Sequence, residues 1–400
     1  MQRNVKLAVG VVIAAALVAL LWSLRAAPLK VLTGNNASRL EPAPETDPLV
    51  IGAVLPLTGP SASFGVPLRR AGELAVKELN AAGGMNGRTL MVLWEDGKCD
   101  AREATAAAQK LINIDKVGII FGGACSNETL AIAPLAQEAG VILISPSASA
   151  PEISAAGTYV FRTAPSDAKA GEMAARYAYL ELNAKTAGVI TENSDYPRSL
   201  REAFIKEFRI LGGRVALDAD LPHPADDLSS LFDRVSAAAP EVLYLLPESG
   251  ASGVGLVKQL RARATDTPLI SSELLINRDL VGEQGKALQG VLGLEVYFDD
   301  RATATSAFLS AYAKTYREPP PFPAVMANMH SQFALLRDGI TAVGTDPNSL
   351  RAWLQQIRGW EGTLGMLTFD ENGDAVRDYA VVRVNNSRRE TVTVYPAARR

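Results

Sequence analysis

Ser145, Ser147 and Ser149 stand at alternate positions in the run Ile-Ser-Pro-Ser-Ala-Ser-Ala-Pro at residues 144–151, with only Ala and Pro between and around them. In an extended segment every second side chain points the same way. Neutral hydroxyls in a proline-stiffened loop can meet a polar ligand without bringing a charge to it. The plainer reading is a connecting loop whose hydroxyls stabilise its own turns. Other chemistries have little to stand on. His223 and His330 are the only histidines, which argues against metal binding and His-based catalysis. No GxSxG, HExxH or CxxC motif occurs. The Gly-Ala-Ser-Gly-Val-Gly run at 250–255 lacks both a GKS/T ending and GxGxxG order, so it reads as the opening of a closely packed helix rather than a phosphate loop. No enzyme, metal or cofactor is expected. A net charge of −3 and a pI near 5.7 imply no nucleic-acid partner.

Residues 1–25 carry Arg3 and Lys6 ahead of an uncharged run from 7 to 22, the pattern of an export signal. The run is long for a signal core and short for a membrane-spanning helix. Leu24-Arg25-Ala26-Ala27 is a poor cleavage site, so a cleaved signal and a retained inner-membrane anchor both stay open. Residues 26–47, rich in proline, read as a linker. Export to an oxidising compartment makes the two cysteines, Cys99 and Cys125, readable as a disulfide, with two separate thiols as the alternative. Each follows a strand-like run, 89–95 and 117–122, which puts both at one end of a parallel sheet.

The elements that must position these residues alternate along the chain. Apolar strands are expected at 49–57, 89–95, 117–122 and 141–144, separated by helices at 68–79, 101–114 and 127–139. A second set follows from 167: helices at 167–182, 199–211, 228–238 and 253–263, and strands at 187–191, 215–220, 242–246 and 269–270. Strands that are apolar throughout belong to sheets covered on both faces, and strand–helix alternation makes those sheets parallel. Two α/β lobes with a cleft between them are therefore expected. Past 290 come a strand, three helices near 302–316, 324–343 and 349–357, and a hairpin of 367–369 with 379–384 about the Asp-Glu-Asn-Gly turn at 370–373. Lobe 1 is drawn as 48–164 with 294–365, and lobe 2 as 165–293 with 366–395. Ligands on such sheets bind beyond the carboxyl ends of the strands. The loops at 58–65, 125–128, 145–151, 192–196, 247–253 and 271–274 are the places to look.

Those loops carry a resemblance. Gly59-Pro60, the Asn-Ala-Ala-Gly-Gly-Met-Asn-Gly run at 80–87, Cys99-Asp100, Cys125-Ser126, Ser145-Pro146 with Ala150-Pro151-Glu152, and the Phe-Asp-Glu-Asn-Gly-Asp run at 369–374 together resemble the leucine/isoleucine/valine-binding proteins, periplasmic receptors of ATP-driven importers. The likeness runs from about residue 49 to 384. It implies the type I periplasmic binding-protein fold, two Rossmann-like lobes joined by hinge crossovers that close on a small amino acid, aliphatic or branched. It also implies roles. Ser126 looks like the family's carboxylate-binding serine, Ser147 and Ser149 fall at the two pocket positions of the following loop, Phe64 and Tyr196 match aromatic walls, and Glu273 matches the acid that meets the ligand ammonium.

The physical chemistry is compatible with each role. A carboxylate entering a dry cleft needs several donors, and hydroxyls and amides at helix starts provide them. Read without the family, Ser126 is a helix N-cap, Glu273 a solvated surface acid, and Phe64 and Tyr196 core aromatics. Asp195 is a substitute acid. Where the family carries another tyrosine after the 242–246 strand, this chain has Pro247-Glu248-Ser249, an extra acid that leaves the solute open. The partners implied are an amino acid and the membrane subunits of an ABC importer. The alternatives are the same cleft tuned to an amide or aromatic acid, and the ligand-sensing ectodomain of an anchored signalling complex.

Overall fold

The structure is a computed structural model that describes residues 47–192, 195–221, 228–247, 249–263 and 266–396. The expected signal at 1–25, the expected linker at 26–47 up to residue 46, the side chains of Asp195 and Tyr196, and Glu248 lie outside that description.

Five short apolar strands form the first sheet: β1 (Leu49–Leu55), β2 (Leu90–Asp96), β3 (Ile119–Gly122), β4 (Ile142–Ser145) and β5 (Val160–Arg162), in the order β2-β1-β3-β4-β5 and all parallel. Every residue of β3, β4 and β5 is buried, as a sheet covered on both faces requires. Helices α1 (Ala62–Ala81), α2 (Ala101–Gln109) and α3 (Ser126–Ala139) connect these strands. Glycine is required where the elements meet most closely. A Cβ at Gly65 would lie 2.0 Å from the Pro56 carbonyl oxygen, so this glycine lets the first turn of α1, with Phe64, sit on the end of β1. Gly122 has φ +123° and its Cβ would lie 2.0 Å from the Val54 carbonyl oxygen, which ends β3 just before Cys125 and Ser126.

The chain then crosses to a second unit through α4 (Asp167–Arg176), β6 (Thr186–Glu192), α5 (Asp195–Ile210), β7 (Arg214–Leu221), α6 (Ser229–Ala238), β8 (Val242–Leu246), α7 (Gly250–Ala262), β9 (Leu269–Ser272), α8 (Arg278–Gln284) and β10 (Leu292–Val296). It returns through α9 (Thr303–Tyr316), α10 (Pro323–Val343), α11 (Pro347–Gln355), β11 (Trp360–Gly362), β12 (Gly365–Phe369) and β13 (Ala375–Val376). It ends with β14 (Tyr379–Asn385) and β15 (Arg388–Tyr395). The second sheet runs β15-β14-β10-β9-β8-β6-β7, parallel from β10 to β7, with β14 antiparallel to both β10 and β15. Each sheet has an apolar cluster on both faces. The fold is thus a two-lobe α/β architecture with three crossovers. Among the described residues no helix is long and apolar enough to cross a membrane.

Several expectations move. The lobes divide later than drawn. β10 continues the second sheet to Val296, while Leu367, Phe369 and Ala375 pack in the first core with Tyr312 and Phe333. The expected hairpin of 367–369 with 379–384 does not form. β12 turns at 370–373 onto the short β13, and β14 pairs with β10 and β15 in the other lobe. One apolar stretch served two lobes, and pattern alone does not separate them. β5 and β15 were not expected, β5 for its three-residue length and β15 for its charged, edge-like composition. The glycine-rich run at 250–255 opens α7, and a Cβ at Gly253 would lie 2.4 Å from the Leu275 side chain, in agreement with the packing reading.

Candidate ligand-binding cleft

The carboxyl ends of β3 and β4 bring two serine-bearing segments together. Cys125 and Cys99 form a disulfide with Cα atoms 5.4 Å apart. Glu128, fully buried beneath it, accepts from the Cys99 and Cys125 amides at 2.9 and 3.0 Å. Burial pushes its carboxyl up, and the backbone donors pull the other way. This collar fixes the start of α3. Ser126 is the first residue of that helix, with Cys125 at the N-cap, so the expected N-cap role for Ser126 falls away. Its Oγ instead accepts from the Ser149 and Ala150 amides, both at 3.2 Å.

The following loop is braced from several sides. Ser145 Oγ donates to the Gly123 carbonyl at 2.7 Å and accepts from the Ala148 amide at 2.9 Å. Ser147 Oγ donates to the Ala124 carbonyl at 2.6 Å. Ser149 faces the other lobe. Its Oγ donates to Asp167 Oδ2 at 3.1 Å, and its carbonyl accepts from the Asp167 amide at 2.8 Å. This reciprocal pair joins the loop to the first residue of α4 across the first crossover.

Asp167 is half-buried as a residue, but its carboxyl group is withdrawn from water. Burial is the main cause that raises its pKa to about 7, and nearby Glu273 adds to the rise. The Ser149 hydroxyl and Arg162 oppose it. Tyr244 and Tyr379, both deep in the second lobe, are raised by burial first and by the charges of Glu273 and Asp167 next. Glu273 is exposed at the head of a short turn after β9. Ser147, Ser149, Asp167 and Glu273 line one cleft of about 1470 Å³, with Phe298, Phe322 and the prolines at 319–321 along its apolar side. Among the described residues no His/Cys/Asp/Glu cluster could hold a metal ion.

The structure therefore brings Ser126, Ser147 and Ser149 together at one loop and sets Glu273 on the opposite wall of the same cleft. Phe64 contributes from behind: its ring meets Phe322 edge-on, with centroids 5.2 Å apart. Sequence reasoning missed Asp167, Phe322 and Phe298. Asp167 had one signal: an acid at the start of a helix just past the proposed lobe boundary at 164/165. Phe322 had none, because it follows the proline run at 319–321, which carries neither a helical nor a strand period.

With this geometry in view, comparisons with known proteins agree on the family. A family model described as periplasmic binding protein matches residues 48–389. A leucine-, isoleucine-, valine-, threonine- and alanine-binding protein of Pseudomonas aeruginosa is 28% identical over 334 residues, covering 82% of this chain and 87% of that protein. A leucine-binding protein of Thermotoga maritima has the same fold at a TM-score of 0.70 and 26% identity, covering 87% of this chain and 99% of that one. A putative branched-chain amino acid ABC transporter protein of Rhodospirillum rubrum aligns at a TM-score of 0.76 and 24% identity, covering 86% of this chain and all of that one, a likeness of fold. The chain belongs to the periplasmic binding protein family.

Proposed function

We propose that this chain captures a small zwitterionic amino acid, aliphatic or branched, in the cleft between its lobes and delivers it to the membrane subunits of an ABC importer on the periplasmic side. The observation that carries this reading is the Ser149–Asp167 pair with Glu273 beside it: neutral donors on one wall face two acids on the other. A ligand ammonium placed between Asp167 and Glu273 relieves their mutual repulsion, which is a strong reason for a cation to bind there. The ligand carboxylate falls to the Ser126–Ser149 side. Ser126 Oγ accepts two amides and keeps its own proton to donate, whereas the Ser147 proton is already committed to Ala124. Phe298 and Phe322, the latter backed by Phe64, wall the side chain. The relatives' names and the export-like residues 1–25 support capture outside the cytoplasm; the mass of the mature N-terminus tests whether the apolar run at 7–22 is kept as an anchor.

An aromatic side chain on the same zwitterion is a second reading, favoured by the rings of Phe298 and Phe322 on the cleft wall. Both are tested by calorimetry of the soluble part against a panel of amino acids and benzoates. Heat with leucine, isoleucine or valine supports the first reading, and a preference for phenylalanine or tyrosine the second. Heat with benzoate alone would remove the ammonium site from the scheme.

A further inference from the structure

The loop that carries Ser147 and Ser149 is held at both ends by side chains that are themselves bonded to residues of the third crossover. At its first end, Asn328 Nδ2 of α10 donates to the Pro146 carbonyl at 3.3 Å. Asn328 Oδ1 in turn accepts from Arg377 Nη2 at 3.1 Å, and Arg377 Nη1 donates to the Met366 carbonyl at 2.8 Å. At its last end, Arg162 Nη1 donates to the Ala150 carbonyl at 2.8 Å. Arg162 grips Asp374 as a fork, with Nε to Oδ1 at 2.6 Å and Nη2 to Oδ2 at 2.7 Å. Ser154 Oγ completes that network, donating to Asp374 Oδ2 at 2.6 Å and accepting from Arg162 Nη2 at 2.8 Å. Asp374 and Arg377 flank the two-residue β13, just before the chain enters the second lobe at β14.

These groups are out of solvent: Arg162 is 0% exposed, Asn328 4%, Arg377 5% and Asp374 7%. A forked arginine–carboxylate pair fixes direction as well as distance, and in a buried setting its members have no water to fall back on. The loop carbonyls at 146 and 150 are thus tied to one short strand, although they lie in separate hydrogen-bond networks. The cleft contacts sit between those two ties.

We infer that Asp374 and Arg377 are positioning residues of the cleft: through Arg162 and Asn328 they fix the two carbonyls that bracket the Ser147–Ser149 cradle, so the third crossover sets the cradle's geometry. A cradle held in place before the ligand arrives loses less freedom on binding. A crossover that rotates as the lobes move carries the cradle with it. The affinity consequence rests on the amino-acid reading above; the mechanical one does not.

The test uses Asp374→Asn and, as a milder change that cuts only the first tie, Asn328→Ala, each in the full chain. Hydrogen exchange is followed on a peptide spanning 145–152 and on β1 and β3, with L-leucine affinity measured by calorimetry. The Ser149 and Ala150 amides should exchange at least tenfold faster in both variants while β1 and β3 are unchanged, and the leucine Kd should rise about tenfold. Loop exchange that stays at the unaltered rate, or that speeds up only in step with β1 and β3, overturns the inference. So does a loosened loop with unchanged leucine affinity. If the unaltered protein gives no heat with leucine, the amino-acid reading fails, and the exchange comparison alone decides whether the crossover holds the loop.

Discussion

On the first-lobe wall of the cleft, Ser126 and Ser147 have their hydroxyl oxygens engaged with the backbone, and the charged side chain bonded to the loop, Arg162, is buried behind it. On the second-lobe wall, Asp167 and Glu273 repel each other, and burial has carried the Asp167 carboxyl up to about 7. The first wall is finished before any ligand arrives; the second holds electrostatic stress that a cation would release. The comparison teaches that the two walls should answer differently to mutation. Changes on the first should alter geometry and stability, with a smaller effect on affinity. Changes on the second should alter affinity and its pH dependence.

The largest effect is expected from Asp167→Asn. Removing one partner of a desolvated charge pair costs about 2–5 kcal/mol of binding, so zwitterion affinity at pH 8 should fall by well over tenfold, and Glu273→Gln should follow it by a lesser factor, being exposed. The ligand-free protein should respond in the opposite sense. An acid whose folded pKa lies above its ordinary value binds more protons folded than unfolded, so its stabilising contribution is present below about pH 4 and lost as pH rises through about 7. A rise of about 3 units corresponds to at most about 4 kcal/mol. Asp167→Asn should therefore raise the melting temperature at pH 8 and leave it unchanged near pH 4. Equal losses of affinity from Asp167→Asn and from a first-wall serine would break the contrast between the walls.

The pH dependence of binding is the next effect in size. A ligand ammonium favours the ionised Asp167, so binding below pH 7 must release a proton. The affinity should fall by up to tenfold, about 1.4 kcal/mol, for each unit below pH 7. Calorimetry in buffers of different ionisation enthalpy reads the released proton directly. The groups that face Asp167 are Ser149, Glu273, Arg162, Glu152 and the two buried tyrosines. His330 bonds to Glu78 and Thr363 in the first lobe, away from the cleft lining. A flat affinity between pH 5 and 8 would take Asp167 out of the ammonium site.

These contrasts bear on what could be read from the chain alone. The alternation of elements was legible because the central strands of each sheet bury both faces and the helices mostly one, so composition and period carry the signal. The paired cysteines and the serine loop were legible because they fall at strand ends, where the sheet topology gathers them. Lobe membership near 294–298 and 365–379 was not, since a crossover is defined by which core it leaves and both cores are apolar. The Ser126 cap was misread because Cys125 and Glu128 supply the capping box. Asp167, Arg162 and Asn328 matter through contacts across 18, 212 and 182 positions of sequence, and no local pattern announces a partner at that distance.

The smallest predicted effects are also the sharpest test of the first wall. Ser126→Ala removes the acceptor of two loop amides, each worth about 1 kcal/mol when left unmet, and removes a hydroxyl proton that remains available to a ligand carboxylate. Ser147→Ala removes one bond to the Ala124 carbonyl at a similar cost in stability, but no proton that the ligand could use. Melting temperatures should fall in both variants. Amino-acid affinity should fall several-fold in Ser126→Ala and stay within about twofold in Ser147→Ala, a difference of about 1 kcal/mol. Calorimetry at pH 8, where Asp167 is ionised, isolates this from the second wall. Equal losses of affinity would mean that the Ser147 hydroxyl leaves Ala124 for the ligand, and the first wall would then be rebuilt on binding rather than complete beforehand.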